Sequence, residues 1–126
     1  MAGPTADALR DALDGLSSRL DPLIDALPVG NPTRVKLENA QNNLEDASGD
    51  VDAQSIETQL ANNADLQKIK DLTAAVNANA AAIASSQQNV DKIVDVADKA
   101  LAVGTAITGG NVGGILTSVN ALQQAL

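Results

Sequence analysis

The chain lacks five kinds of side chain entirely: it has no Phe, Tyr, Trp, His or Cys in its 126 residues. Without imidazole, no side chain changes its proton occupancy readily at neutral pH. Without a thiol, there is no cysteine nucleophile and no soft metal ligand. Without aromatic rings, nothing stacks on a base or a sugar. We therefore expect no enzymatic activity, no cofactor and no metal, and we assign no catalytic, cofactor-binding or metal-binding residue.

Carboxylates are the remaining groups that carry chemistry. Five of them recur along one side of the first predicted helix, and these are Asp7, Asp11, Asp14, Asp21 and Asp25. Calcium needs six or more oxygens, usually from a wrapped loop, and a straight helix face does not supply them. The segment 46–52 also lacks the residue order of a calcium loop. We interpret the first set as a solvated face and predict a turn at Ser48–Asp50.

The balance of charge is acidic, with 16 Asp and Glu against 8 Lys and Arg and a formal net charge of −8. Nucleic acid requires clustered basic residues, so the charge argues against it as a partner. It argues equally against electrostatic capture by anionic lipid. An acidic surface suits solubility or a basic partner. A small acidic immunity or inhibitor protein is therefore one of the alternatives that the sequence leaves open.

The first half of the chain predicts two amphipathic helices. Leucines spaced by three and four residues form the seam of the first helix, and they are Leu9, Leu13, Leu16, Leu20, Leu23 and Leu27. Thr5 is the predicted N-cap, and Pro22 should kink or restart the helix after Asp21. Asn31 should cap the second helix, with Pro32 at its first position.

The second half predicts one long helix and a short final one. Apolar residues at helical spacing extend from about residue 64 to residue 108, which is a helix of about 45 residues and roughly 65 Å. Gly109 and Gly110 should end it, and Asn111 should cap a last helix that runs to Leu126. We predict a single all-α domain over 1–126, an antiparallel bundle of four to five helices with one long coiled-coil-like helix.

The C-terminal stretch 100–126 contains no charged residue. We interpret it as a packing or assembly element, whose candidate interaction residues are Val103, Ile107, Val112, Ile115, Leu116, Val119 and Leu122. We do not expect a constitutive membrane span, because the last helix would be roughly 24 Å long and the hydrocarbon core of a bilayer is about 30 Å thick. The alternative is a hairpin that enters a lipid or air–water interface after a conformational change, as in helical pore-forming proteins.

The function that these patterns favour is a non-catalytic helical module for protein–protein interaction or structure. Its partner would be another protein or a second copy of the chain. The first residues carry neither a basic flank nor an apolar run, so we expect no signal peptide and a soluble chain, in a compartment that the sequence does not indicate. A membrane is a partner only in the alternative that releases residues 100–126.

Overall fold

The computed structural model describes residues 4–53 and 63–126, and every regular element in these ranges is a helix. The α-helices are α1 (Pro4–Arg19), α2 (Asp21–Asp25), α3 (Pro32–Ala53), α4 (Asn63–Ile83), α5 (Val90–Gly109) and α6 (Val112–Ala125), with a 3-10 turn at Gln87–Asn89 between α4 and α5. The helices pack against one another, so the predicted all-α bundle is confirmed.

Two predicted helix boundaries in the first half are confirmed by their local chemistry. Helix α2 restarts the chain at Asp21, with Pro22 in its first turn, where a missing backbone N–H costs nothing. Helix α3 begins at Pro32 because the Asn31 Oδ1 accepts hydrogen bonds from the backbone N–H groups of Thr33, at 2.8 Å, and Arg34, at 3.2 Å. These groups lack a carbonyl partner within the helix, and the asparagine supplies one.

Two local predictions were wrong, both because a helix continues where a cap or a turn was expected. Helix α1 already begins at Pro4, so Thr5 lies in its first turn and is buried; the fixed φ of proline suits that position. Helix α3 runs without interruption through Ser48, Gly49 and Asp50. Ser48 and Val51 are buried in the core, and this tertiary packing offsets the weak helix propensity of glycine.

The predicted helix over 64–108 is two helices, because polar side chains interrupt the backbone hydrogen bonding at residues 84–89. The Asn89 Nδ2 donates to the carbonyl oxygens of Ala82, at 3.1 Å, and Ile83, at 3.2 Å. The Ser86 Oγ accepts from the backbone N–H of Gln88 at 3.1 Å. Side chains that bond to nearby backbone groups in this way compete with a continuing helix.

The five longer helices form a closed ring around the core. Helix α3 packs against α1 on one side and α5 on the other, α6 packs against α5 and α4, and α4 packs back against α1. The enclosed side chains are Leu, Ile, Val and Ala. Helix α6 therefore lies across the ring from the contact between α1 and α3.

The predicted antiparallel arrangement does not hold for α3 and α5, the two helices that make the most extensive contact. Helices α1 and α3 are antiparallel, since the Gln41 Nε2 donates to the Ser17 carbonyl while Arg34 reaches back to Leu27. Helices α3 and α5 run in the same direction. Asn43 contacts Asp98 near the middle of both helices. Closer to the C-terminal end of both helices, Gly104 lies against Ala47. Helix α4, which reverses the chain between them, lies elsewhere in the ring.

Helices α3 and α5 approach closely at Gly104, which is buried. A Cβ atom at residue 104 would lie 3.1 Å from the Ala47 Cα and 3.1 Å from the Asp50 Cβ. Because these distances are shorter than ordinary carbon contacts, the absence of a side chain lets the two backbones meet. The glycine is thus a packing residue, in contrast to Gly49, around which a Cβ would meet nothing within 4 Å.

We predict that Gly49→Ala stabilises the chain by about 1 kcal/mol, because alanine is the better helix former at an open position. Gly104→Ala should give no such gain, since the new methyl group crowds α3, and Gly104→Leu should destabilise by about 1–3 kcal/mol. Urea unfolding followed by circular dichroism measures the three values. Equal stabilisation by the two alanine variants would contradict the close contact.

Candidate association surface

The C-terminal hairpin places most of the predicted interaction residues inside the chain's own core. Ile115, Val119 and Leu122 form the inner face of α6, which packs against α5 and α4. Val103 and Ile107, from α5, are buried with them. These residues are recruited for folding, and in this structure they do not form an exposed patch.

The other two predicted residues lie at the surface. Val112 begins α6 and is 36% exposed, and Leu116 is half-buried one turn later. The hairpin that carries them turns as predicted, with Gly110 in the left-handed region at φ +71° and the Asn111 Oδ1 accepting from the Gly114 N–H at 2.8 Å. The sequence pattern therefore located the hairpin correctly but did not distinguish its inner residues from its outer ones.

Two stretches of the chain carry no charge, and we call their exposed faces the uncharged band. Residues 72–90 and 100–126 contain no Asp, Glu, Lys or Arg. Helix α6, which belongs to the second stretch, packs against both α4 and α5, and Lys68 and Lys92 lie beside it. The exposed helical residues of the band include Ala74, Asn77, Ala78, Ala81, Ala82, Ala102, Thr105, Thr108, Val112, Thr117, Asn120, Gln123 and Gln124.

The opposite side of the ring is acidic. Helices α1, α2 and α3 expose the carboxylates of Asp11, Asp14, Asp21, Asp25, Glu38, Glu45 and Asp46. Nearby cations reduce this charge locally, through the pair of Arg34 with Glu38 at 3.6 Å and that of Arg10 with Asp11 at 3.6 Å. Exposed pairs of this kind contribute little to stability. The exposed carboxylates of α1, α2 and α3 therefore form an acidic side of the ring. The uncharged residues lie on α4, α5 and α6, of which α4 and α5 also carry charged residues outside 72–90 and 100–126.

Two shallow clefts open along the band. One of about 180 Å³ lies between α4 and α6 and is lined by Lys68, Leu116, Val119, Asn120 and Gln123. The other, of about 240 Å³, is lined by Asn79, Ala82, Ile83, Asn89, Lys92 and Leu126. Their polar side chains are amides and single lysines at the edge of the band, and neither lining includes an Asp or a Glu. This chemistry suits hydrogen bonding and contact with methyl groups.

Two further findings concern metal ligands and membrane spans. Within 4–53 and 63–126, no three carboxylate, imidazole or thiol groups lie close enough together to hold a metal ion. In the same ranges, no helix combines the length and the apolar character that crossing a membrane requires. The acidic residues of the predicted solvated face are spread along α1 and α2.

Comparison with known proteins gives no relative: no family model matches the chain, and neither the curated proteins nor the solved structures contain a match. The function must therefore be inferred from the surface itself.

We predict that Ile115→Asp destabilises the fold far more than Val112→Asp, although both change an aliphatic residue of α6. Ile115 is 1% exposed, so an aspartate there buries an unpaired charge and should destabilise by more than about 3 kcal/mol. At Val112 the new carboxylate is solvated in the first helical turn, where the helix dipole favours it, and the effect should stay within about 1 kcal/mol. Thermal unfolding separates the two outcomes, and similar losses in both variants would show that the outer residue is buried too.

Proposed function

We propose that this chain is a non-catalytic helical module that associates with a second copy of itself through the uncharged band. The observation that supports this is the composition of the outer face of α6. Folding accounts for the aliphatic inner face of that helix, but a helix at a protein surface ordinarily carries charged residues on its outer face. Here the outer residues are Thr117, Asn120, Gln123 and Gln124.

Electrostatics favour this face for contact between copies. Each chain has a formal net charge of −8. Two such chains that met through α1 and α3 would bring carboxylates together, at about 1 kcal/mol for each pair of like charges 4 Å apart in water. Contact through the band, whose clefts are lined by Lys68 and Lys92 and by no carboxylate side chain, avoids bringing the carboxylates of α1 and α3 together.

The chemistry of the band also suits a copy of the same surface. In a two-fold interface the same patch of each copy contacts its counterpart, so the patch must be complementary to itself. An amide side chain does this, because it both donates and accepts hydrogen bonds, whereas a carboxylate only accepts. Besides the amides of Asn77 and Asn120, the band exposes the methyl groups of Ala78 and Ala81, whose small size leaves room for close approach of the helices.

The two rival hypotheses use other parts of the molecule. An interface-active hairpin would have to withdraw Ile115, Val119 and Leu122 from the core and expose them to lipid. An acidic inhibitor of a basic protein would use the carboxylates of α1 and α3. Both are outcomes that the following experiment can detect.

We predict concentration-dependent association of the unmodified chain in sedimentation velocity. Asn77→Asp combined with Gln124→Glu should weaken it at least about tenfold, because each change adds a negative charge to the band without altering side-chain size. The matched control is Asn39→Asp combined with Asn42→Asp, which adds the same charge to the exposed face of α3 and should weaken association far less.

Two further measurements complete the test. Association that survives in the band variant as well as in the control would contradict the proposed surface, and a monomer at all concentrations would contradict self-association. In the latter case, binding to phosphatidylcholine vesicles would favour the interface-active hypothesis. Salt-sensitive binding to polylysine would instead favour the acidic inhibitor.

A further inference from the structure

We propose that helix α6 can exchange between two copies of the chain, so that each copy's α6 occupies the cleft between α4 and α5 of the other. This inference concerns the inner face of α6 and the turn before it. It is independent of the proposed function, which concerns the outer face. The partner is a second copy, and the exchanged element is the one already seated in the cleft.

The way α6 is held makes exchange feasible. Its anchors are the aliphatic side chains of Ile115, Val119 and Leu122, and α6 has no charged side chain whose transfer would leave an unpaired charge behind. One polar contact ties its end to α5, where the Lys92 Nζ donates to the Leu126 carbonyl at 3.3 Å. The α6 of a second copy offers the same groups, so a helix that leaves its own cleft packs in the same way in the cleft of the other copy.

The turn between α5 and α6 is short and depends on two residues. Gly110 adopts φ +71°, and its N–H donates to the carbonyls of Ala106 and Ile107, at 3.1 Å each. Asn111 follows in an extended conformation and caps α6 through Gly114. A connection of two residues can turn the chain only if both keep these conformations, and short hinges favour exchange between copies. If both residues turned helical, residues 90–125 would form one helix of roughly 54 Å, and α6 could not reach its own cleft.

Gly110 therefore decides between the two arrangements. Glycine adopts a positive φ without steric cost, whereas alanine resists it and favours the helix instead. A Cβ at residue 110 would meet nothing within 4 Å, so Gly110→Ala acts on the backbone conformation and causes no clash. Gly109 is equally open but already helical, without a positive φ. Gly109→Ala is thus a matched control that affects both arrangements alike.

The experiment compares Gly110→Ala with Gly109→Ala after unfolding and refolding at high concentration, by gel filtration with light scattering. We expect the dimerisation constant of Gly110→Ala to rise about tenfold for each hinge, hence about a hundredfold for a dimer with two hinges. Gly109→Ala should behave like the unmodified chain. Asn111→Ala, which removes the cap and keeps Gly110, should shift the constant in the same direction by a smaller factor.

Cross-linking distinguishes an exchanged dimer from one that associates through the band. The chain has no cysteine, and Lys68 and Gln123 line the same cleft between α4 and α6. Gly110→Ala chains carrying Lys68→Cys are refolded together with Gly110→Ala chains carrying Gln123→Cys and treated with a short bis-maleimide. A Gly109→Ala chain carrying both cysteines should cross-link within itself, which establishes that the pair is within reach.

We expect a cross-linked heterodimer, and we expect it to persist when Asn77→Asp and Gln124→Glu are added to both chains. Those two changes disable the band and leave the inner face of α6 intact, so the failure of either proposal is visible separately. A folded, helical Gly110→Ala chain that stays monomeric would overturn the exchange. So would a dimer whose cross-link disappears with the band changes, since that dimer would be held by its surface.

Discussion

The close approach of α3 and α5 is the contact on which the rest of the structure depends. No aromatic ring is available to fill the interior, so the core consists of Leu, Ile, Val and Ala. Small side chains exclude voids only if the helices come close together. Gly104 allows this at the point where α5 meets Ala47. Helix α3 then holds α1 and α2, and α5 holds α6, so this contact joins the two halves of the ring on one side, as the packing of α4 on α1 does on the other.

The shared direction of α3 and α5 determines where the last helix lies. Because α4 is not inserted between them, it packs on α1, and α6 occupies the space between α4 and α5. This position explains the inner residues of α6, which complete the core. It does not require the outer residues to be uncharged, since a lysine or glutamate there would be solvated. The composition of the outer face is therefore a property that folding alone leaves unexplained, and that is why it supports a proposal about function.

Local signals predicted the fold where the backbone itself decides. Pro22, the pair Asn31–Pro32 and the pair Gly110–Asn111 each act within one helical turn, and all three boundaries lie within one residue of their predicted places. The errors arose where distant contacts decide. The apolar spacing of Leu44, Ala47 and Val51 continues across Gly49, but the turn-forming residues Ser48–Asp50 predicted an interruption that burial against other helices overrides. The break at 84–89 was missed for a different reason, because apolar spacing continues across it while Ser86 and Asn89 divert the backbone hydrogen bonds.

The candidate surface was predicted only in part, and the reason is general for a chain of this composition. Large aliphatic residues were the expected interface. A core without aromatic rings needs these residues to fill it, and five of them are buried there: Val103, Ile107, Ile115, Val119 and Leu122. What remains at the surface is alanine, threonine and amide, which apolar character alone does not single out. The signal that did identify the region was the absence of charge over 72–90 and 100–126. Folding places the aliphatic residues in the core but does not require the outer faces to be uncharged. The missing charges, and not the aliphatic residues, are therefore the feature that supports the proposed contact between copies.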